Sequence, residues 1–266
     1  WRDATEVGFY GLGIESVESA RANYRFKQTY VEGGATFRPQ RWTIFEGRVA
    51  YEDYNLEPGK GSAPSIETVY TPLTAPGLGE SPTFVHTTTR AGIGTRFAPA
   101  YTRTGGYYGV ELHNYLDTSD TFTFNRLDAH AIHHIPILKE NWVIALRGRF
   151  QTTLGGDDVV VPYFLLPSLG GGSTLRAYSS WRFRDRDSLL GTIEWRWIPS
   201  KLGLDMAIFY DTGTMADHPT GLTLSNRVSD WGFGARFHAP RATVLRIEMA
   251  KGTEGWHLVF ASSAPF

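Results

Sequence analysis

Histidines are the first residues of this chain whose type and spacing could do chemistry, as ligands of a metal ion. His130, His133 and His134 form a cluster. On a strand, His130 and His134 would share a face and His133 would point away. No carboxylate or cysteine completes a ligand set at a recognisable spacing. We therefore expect no metal site, and we interpret these histidines as residues that line a lumen or its rim.

The glycine triplet Gly170-Gly171-Gly172 is the second candidate, since glycine-rich loops cradle phosphates. A phosphate loop also needs a following Lys-Ser/Thr pair and a helix, and neither follows this triplet. The triplet is better explained as a place where a loop bends sharply. No G-x-S-x-G nucleophile motif occurs either. The sequence thus predicts no catalytic residue, no cofactor and no enzymatic activity.

Composition narrows the class of protein. The 266 residues include 26 basic and 27 acidic side chains, which does not favour a nucleic-acid partner. The absence of cysteine excludes a disulfide framework. Aromatic residues make up 14% of the chain and there are 29 glycines, which favours strands. No apolar run is long enough for a transmembrane helix. The chain begins at Trp1, so its start has been processed, truncated or left out.

Period-two alternation is the main structural signal. Between 142 and 151, one parity is mostly apolar and the other carries charge. The apolar parity comprises Trp142, Ile144, Leu146, Gly148 and Phe150. The other comprises Val143, Ala145, Arg147, Arg149 and Gln151. A soluble sandwich would bury the apolar face, whereas a membrane barrel turns it toward lipid. Alternation alone does not decide between these two architectures.

The lengths of the connections favour the membrane barrel. We predict eleven strands, at roughly 21–38, 42–54, 84–97, 106–117, 122–135, 141–153, 188–198, 203–213, 230–239, 243–251 and 256–266. Short connections at 39–41, 98–105, 136–140, 199–202 and 240–242 each contain a proline. They alternate with long connections at 55–83, 154–187 and 214–229 and smaller ones near 118–121 and 252–255. Alternating turns and loops are typical of outer-membrane barrels, whose turns face the periplasm.

The parity of the strand count predicts missing strands. With eleven strands and a periplasmic C-terminus, an odd number of strands should precede Trp1, because single-chain bacterial barrels have even counts. The segment Arg2–Ala20 would then be an external loop. The sequence therefore predicts an all-β, antiparallel, up-and-down transmembrane barrel that forms a single domain over 1–266.

Three spaced motifs identify a family. The segment Leu169–Asp187 reads LGGGSTLRAYSSWRFRDRD, Gly191-Thr-Ile-Glu194-Trp-Arg196 follows, and Phe209-Tyr-Asp211-Thr-Gly213 lies on the next strand. Together they resemble the bacterial surface-antigen, outer-membrane assembly-factor superfamily, of the outer-membrane protein 85 type. They match the tip of its infolded loop, its G-x-x-E-x-R motif and its F-x-D-x-G motif. The opening GFYGLG from Gly8 is similar to that of barrel-only members.

The resemblance implies sixteen strands in full, of which about eleven lie here, and a loop at 154–187 folded into the lumen. It also implies a loop lock, in which Arg176 meets Glu194, Asp211 or both, since a guanidinium suits two carboxylates. The loop residues that belong to the motif are Gly171, Gly172, Ala177, Tyr178, Arg184 and Asp185. Ala177 departs from the family's glycine, and a positive φ there would carry a penalty of roughly 1 kcal/mol.

The C-terminal residues resemble the family's assembly signal, which comprises Trp256, Leu258, Phe260 and Phe266. These four residues have the same parity, so we expect them to share a face. Residues expected to face lipid are Ile144, Leu146, Phe150, Ile193, Trp195, Leu245, Ile247, Leu258 and Phe260. We expect an outer-membrane location in a Gram-negative envelope with a periplasmic C-terminus. Lipid, lipopolysaccharide and the barrel-insertion machinery would be its partners.

Several functions remain open at this point. The resemblance implies protein insertion or translocation across the outer membrane, with a client or passenger protein. The alternative is a structural barrel subunit or scaffold of an envelope complex without transport activity. A passive pore fits less well, because the infolded loop would plug the lumen.

Overall fold

A computed structural model describes residues 1–95, 102–138, 141–156, 158–199, 203–239 and 242–266. The strands are β1 (Arg2–Phe9), β2 (Ala22–Phe37), β3 (Thr43–Pro58), β4 (Thr83–Gly94), β5 (Gly105–Asp117), β6 (Phe124–Ile137), β7 (Trp142–Leu154), β8 (Ser168–Leu169), β9 (Phe183–Arg184), β10 (Asp187–Trp197), β11 (Leu204–Ala216), β12 (Val228–Ala239), β13 (Ala242–Gly252) and β14 (Gly255–Ala261). One short helix, α1 (Ile66–Val69), and two 3-10 turns, Glu18–Ala20 and Pro219–Gly221, lie between strands. Within the described ranges no helix is long and apolar enough to cross a membrane.

Twelve of these strands form one antiparallel sheet in chain order, with β8 and β9 set aside as a small separate pair. The predicted all-β, up-and-down architecture is confirmed. The count of eleven is wrong, because Arg2–Phe9 is a strand that pairs with β2 from Arg2↔Gln28 to Phe9↔Ala22. The external loop predicted for 2–20 therefore starts only after Phe9, and the inferred odd number of missing strands no longer follows. In the described part of the chain, β1 and β14 are the two edges of the sheet.

The two faces of the sheet have opposite character. On β10 the Glu194 side chain is fully buried, whereas its neighbour Trp195 is 43% exposed. Arg246 of β13 is buried and Leu245 beside it is exposed. The sheet therefore turns charge inward and apolar side chains outward. This inversion is the one expected of a barrel whose outer face meets lipid.

Aromatic side chains gather at both ends of the outer face. Trp142 stacks on Trp195 with ring centroids 4.7 Å apart, at the end where short connections join the strands. At the opposite end, Trp231 and Trp256 meet edge to face at 5.6 Å. Two such rims around an apolar band are typical of outer-membrane barrels.

The long segment between β7 and β10 fills the inner side of the sheet. Tyr163 and Phe164 from this segment pack into an aromatic cluster with side chains of β1 to β6. The ring centroid of Tyr163 lies 4.9 Å from that of Tyr24. Phe164 lies 5.3 Å from Tyr54. This segment thus covers the inner face of the sheet on its β1–β6 side, within the space we call the lumen.

Strand boundaries agree with the predicted ones within a few residues, except at the end of the chain. The last strand stops at Ala261, although alternation extended it to 266. Parts of the predicted short connections at 98–105, 136–140, 199–202 and 240–242 lie outside the described residues. The connection at 39–41 is a short turn between β2 and β3.

Candidate functional site

The loop enters the lumen through a bend made by two glycines. Gly170 and Gly171 have φ values of 115° and 89°, a region that side chains rarely adopt. A Cβ on Gly170 would lie 2.2 Å from the carbonyl oxygen of Ser179. Just outside this bend, β8 pairs with β9 and closes the base of the loop. Gly170 and Gly171 therefore form the bend at the base of the infolded loop.

Arg176 at the loop tip is bound by carboxylates from three strands. Its Nε and Nη2 donate to the two oxygens of Asp211 at 2.7 and 3.1 Å. Its Nη1 donates to Glu194 at 2.9 Å and to Glu248 at 3.2 Å. All four side chains are at most 1% exposed. We call Arg176, Glu194, Asp211 and Glu248 the lock cluster. The predicted contact of Arg176 with both motif carboxylates is present.

Three further arginines surround the lock cluster. Arg236 donates to Glu194 at 2.7 and 2.6 Å and to Glu248 at 2.6 Å. Arg246 donates to Glu248 at 2.7 Å. Arg196 forms an ion pair with Glu194. Buried carboxylates that each receive several guanidinium bonds have their lone pairs satisfied, which a buried ion network needs in order to be stable.

Sequence reasoning did not assign Glu248 or Arg236 to this site. Arg236 lies on the lumen-facing parity of β12, and Glu248 lies on that of β13. Arg246, two residues before Glu248, has the same parity. Charged residues on the inner parity of successive strands were therefore the available signal. That signal could not show which residue binds Glu248, because the loop that carries Arg176 lies about 70 residues earlier in the chain.

Ala177 does not carry the predicted backbone strain. The φ angle of Ala177 is not positive, whereas that of Trp181 in the same loop is. The condition for that penalty is therefore not met in this chain. Instead, the Ala177 N–H donates to Asp230 of β12 at 3.2 Å, so the loop tip is also held through its backbone.

The other loop residues pack at the outer end of the lumen. Tyr178 is buried, and its hydroxyl lies 3.1 Å from that of Thr253 at the β13–β14 turn. Arg184 donates to the carbonyl of Tyr163 at 3.1 Å. The Asp185 carboxylate accepts the Arg186 N–H at 2.8 Å. These contacts connect the loop to its own base and to the final hairpin.

The strand-motif residues divide between the two faces. Phe209 lies inside, and the Arg176 guanidinium carbon lies 3.3 Å from its ring centroid. Gly213 also faces inward, where a Cβ would lie 2.7 Å from Leu169 of the loop. Gly191 lies on the outer parity of β10, and a Cβ there would meet only Thr212 at 3.6 Å. Gly213 therefore makes room for the loop, whereas Gly191 does not.

Burial and charge act on two loop side chains in different ways. Burial by itself lowers the pKa of Arg176, but Asp211 and Glu194 outweigh it and raise that pKa above its usual value. Burial raises the pKa of the Asp185 carboxyl to about 6, and Asp217 and Asp187 add to the effect. The lock guanidinium thus stays charged, while the raised pKa of Asp185, about 6, favours its neutral form below that pH.

The predicted C-terminal signal is only partly placed as expected. Trp256, Leu258 and Phe260 are exposed on the outer face of β14. Phe266 is not with them: its ring lies inside, 4.8 Å from the guanidinium carbon of Arg147. The shared face predicted for Phe266 is wrong, because the chain leaves the strand after Ala261 and turns inward.

The histidines lie on opposite faces of β6, as the alternation predicted. His133 is outside and bonds the Tyr108 hydroxyl at 2.7 Å, and His134 is buried inside. Among the residues that the structure describes, no group of three or more His, Cys, Asp or Glu side chains is arranged to hold a metal ion.

Comparison with known proteins shows which solved structure the fold is similar to. No sequence-family model matches the chain, and no curated protein sequence matches it. Among solved structures, it is similar to BamA from Haemophilus ducreyi lacking POTRA domains 1–3, with a TM-score of 0.68 and 16% sequence identity. The alignment covers 94% of this chain and 56% of that one, so this chain spans about half the length of the BamA chain. The chain therefore has the fold of a BamA-type barrel.

Proposed function

We propose that this chain belongs to an integral outer-membrane barrel of the surface-antigen superfamily that inserts or translocates proteins, and that the lock cluster holds its working conformation. The observation that carries the proposal is the buried guanidinium of Arg176, bonded to Asp211, Glu194 and Glu248. Each of the three motifs that resemble those of this superfamily contributes one side chain to this contact, namely Arg176, Glu194 and Asp211. The BamA-type fold supports the same assignment.

A membrane location is supported by the outer face. Leu146, Ile193 and Leu258 are exposed there, while Glu194 and Arg246 are buried inside. Lipid would cover the apolar band, and the tryptophans at each rim would lie at the level of the headgroups, including those of lipopolysaccharide. We propose that β14 ends at the periplasmic rim, where the short connections would also lie, and that the segment after it enters the lumen from that side.

The lock cluster supports a conformational role rather than a catalytic one. One loop residue binds carboxylates on β10, β11 and β13, so the loop fixes the relative positions of these strands. Removing one partner of a buried ion network leaves uncompensated charge and costs about 3–5 kcal/mol. We therefore propose no enzymatic activity and a role for Arg176 in holding the loop against the wall near the last strands.

A structural barrel without transport activity is the second candidate. It is favoured by the aromatic cluster in which Tyr163 and Phe164 fill the lumen beside β1 to β6. A filled lumen also disfavours a passive pore. The partner in that case would be another protein of an envelope complex rather than a client.

Depletion of the full-length protein in its bacterium separates these candidates. Quantitative proteomics of the outer membrane would follow the amounts of other barrels during depletion. We expect a subset of them to fall, and to recover with the wild-type protein but not with Arg176→Ala. Unchanged levels of every other barrel, together with loss of one envelope complex, would favour the structural role. Heat-modifiable migration in electrophoresis would show that the complementing barrels are folded.

A further inference from the structure

The segment after β14 is bound inside the lumen by two arginines that also hold the infolded loop. We call Ser262–Phe266 the tail segment. Arg246 donates to the carbonyl of Gly172 in the loop at 2.8 Å and to that of Ser263 in the tail segment at 3.2 Å. Arg147 donates in the same way to Ser173 at 2.6 Å and to Pro265 at 3.3 Å. Each guanidinium therefore joins one loop carbonyl to one tail carbonyl.

The ring of Phe266 completes this arrangement. It lies 4.8 Å from the guanidinium carbon of Arg147 and 5.3 Å from that of Arg196. Arg196 Nη2 and Arg147 Nε are buried without a hydrogen-bond partner among the described residues. An aromatic face attracts a nearby cation, and more strongly when the cation is desolvated. Phe266 thus stabilises two guanidinium groups whose hydrogen bonding is incomplete.

The remaining contacts show that side chains from several strands lie close around the tail segment. His134 of β6 is buried, and its ring centroid lies 6.3 Å from that of Phe266. Gly172 approaches β14 closely, since a Cβ there would lie 2.7 Å from Val259. Pro265 is buried, whereas Ser262 and Ser263, earlier in the tail segment, are exposed. The tail segment therefore seats one ring and two carbonyls among side chains of β6, β7, β10 and β13.

We propose that Arg147, Arg196, Arg246 and His134 form a lumenal binding site for a short extended peptide that carries an aromatic side chain, and that the tail segment occupies it in cis. The site recognises two backbone carbonyls through guanidinium hydrogen bonds and one ring through cation–π contact. Because the same arginines hold Gly172 and Ser173, occupancy of the site fixes the infolded loop. The site shares no residue with the lock cluster but adjoins it, because Arg246 and Arg196 form ion pairs with Glu248 and Glu194. The proposal does not depend on transport activity.

A cysteine reporter in the loop tests this coupling. The 266 residues contain no cysteine, so Thr174→Cys, at a buried loop position, would give this chain a single thiol. The full-length barrel would be purified in detergent micelles and its labelling by a maleimide followed. We expect Phe266→Ala to accelerate labelling at least tenfold and Phe266→Tyr to leave it near the parent rate. Phe260→Ala, which removes a ring from the outer face of the preceding strand β14, is the matched control and should have no effect.

Addition of a peptide in trans distinguishes a binding site from simple loss of packing. A synthetic peptide with the sequence Val259–Phe266 should restore slow labelling of the Phe266→Ala barrel in a saturable way. The same peptide with alanine in place of its phenylalanine should not. Unchanged labelling in Phe266→Ala, or equal protection by both peptides, would overturn the proposal. If Phe266→Ala does not fold, Phe266→Leu serves in its place, since it keeps apolar bulk and loses the aromatic face.

Discussion

Asp211 receives a two-pronged hydrogen bond from Arg176, whose Nε and Nη2 lie 2.7 and 3.1 Å from its two oxygens. The hydroxyl of Thr192 adds a third bond to Asp211 at 2.8 Å. A planar guanidinium matches a carboxylate in this way, and a lysine cannot reproduce it. The relationship fixes both the depth of the loop tip in the lumen and its orientation toward β11.

The first prediction concerns this pair. Arg176→Ala should lower the free energy of unfolding by about 3–5 kcal/mol, because it leaves buried carboxylates without their partner. Asp211→Asn should lower it by a similar mechanism, and the double variant should lose less than the sum of the two. Denaturant titration of the barrel in lipid vesicles would measure all three.

Arg90→Gln is the control for that series. Arg90 bonds Glu111 on the inner wall, but its side chain is 28% exposed, so its loss should cost roughly 1 kcal/mol or less. Strict additivity of Arg176→Ala and Asp211→Asn would show that the two residues do not act as one unit.

The second prediction concerns the approach of Tyr178 to the last hairpin. A Cβ on Gly252 would lie 2.8 Å from Cζ of the buried Tyr178 ring, which is too rigid to yield easily. Gly252→Ala should therefore destabilise the barrel by about 1–3 kcal/mol through overpacking. Gly148→Ala is the matched control, since a Cβ there meets nothing within 4 Å. Equal unfolding free energies for the two variants would contradict the close contact.

The strands could largely be predicted from the sequence, for a physical reason. A lumen lined with charge and an outer face of apolar side chains impose alternation. Burial alternates residue by residue in β7 from Trp142 to Leu146 and in β10 from Leu189 to Trp197. β1 was missed because its pairing register shifts between Ala4 and Val7, which interrupts the alternation. The tail segment was wrongly extended as strand because Phe266 has the parity of Phe260.

The candidate site was predictable only where motifs marked it. Arg176, Glu194 and Asp211 were found through their resemblance to a family, whereas Glu248 joins them from 72 residues beyond Arg176. The contact of Arg147 with Pro265 spans 118 residues. Such contacts depend on how the sheet curves and how deep the loop enters, and neither quantity is encoded in local alternation.

The third prediction tests the orientation of the barrel in the membrane. Leu146→Arg places a charge at the middle of the outer face of β7 and should lower the folding free energy into lipid by about 2–4 kcal/mol. Leu154→Arg, on the same strand and face but at its end, should cost about 0–1 kcal/mol. Both leucines are exposed, at 38% and 40%. If the two substitutions cost the same in bilayers, the outer face of β7 does not cross the membrane.

The last prediction is a pH dependence that arises at Asp185. Burial raises the pKa of this carboxyl to about 6, and Asp217 and Asp187 act in the same direction, while the Arg186 N–H and its guanidinium oppose them. The folded state therefore favours the neutral acid. The stabilisation this provides is complete below the unfolded pKa of about 3.9 and is lost as pH rises through about 6. A shift of this size corresponds to at most about 3 kcal/mol.

Asp185→Asn should abolish this part of the pH dependence, because asparagine is neutral and keeps an oxygen to accept the Arg186 N–H. We expect the variant to be more stable than the wild-type barrel by about 1 kcal/mol or less at pH 4.5 and by up to about 3 kcal/mol at pH 7.5. Unfolding by denaturant at the two pH values would measure the difference. Asp120→Asn in the exposed β5–β6 turn is the control for the same substitution at a surface position. Parallel pH profiles for the wild type and Asp185→Asn would mean that Asp185 is already ionised at pH 4.5, in contact with water rather than with the folded loop.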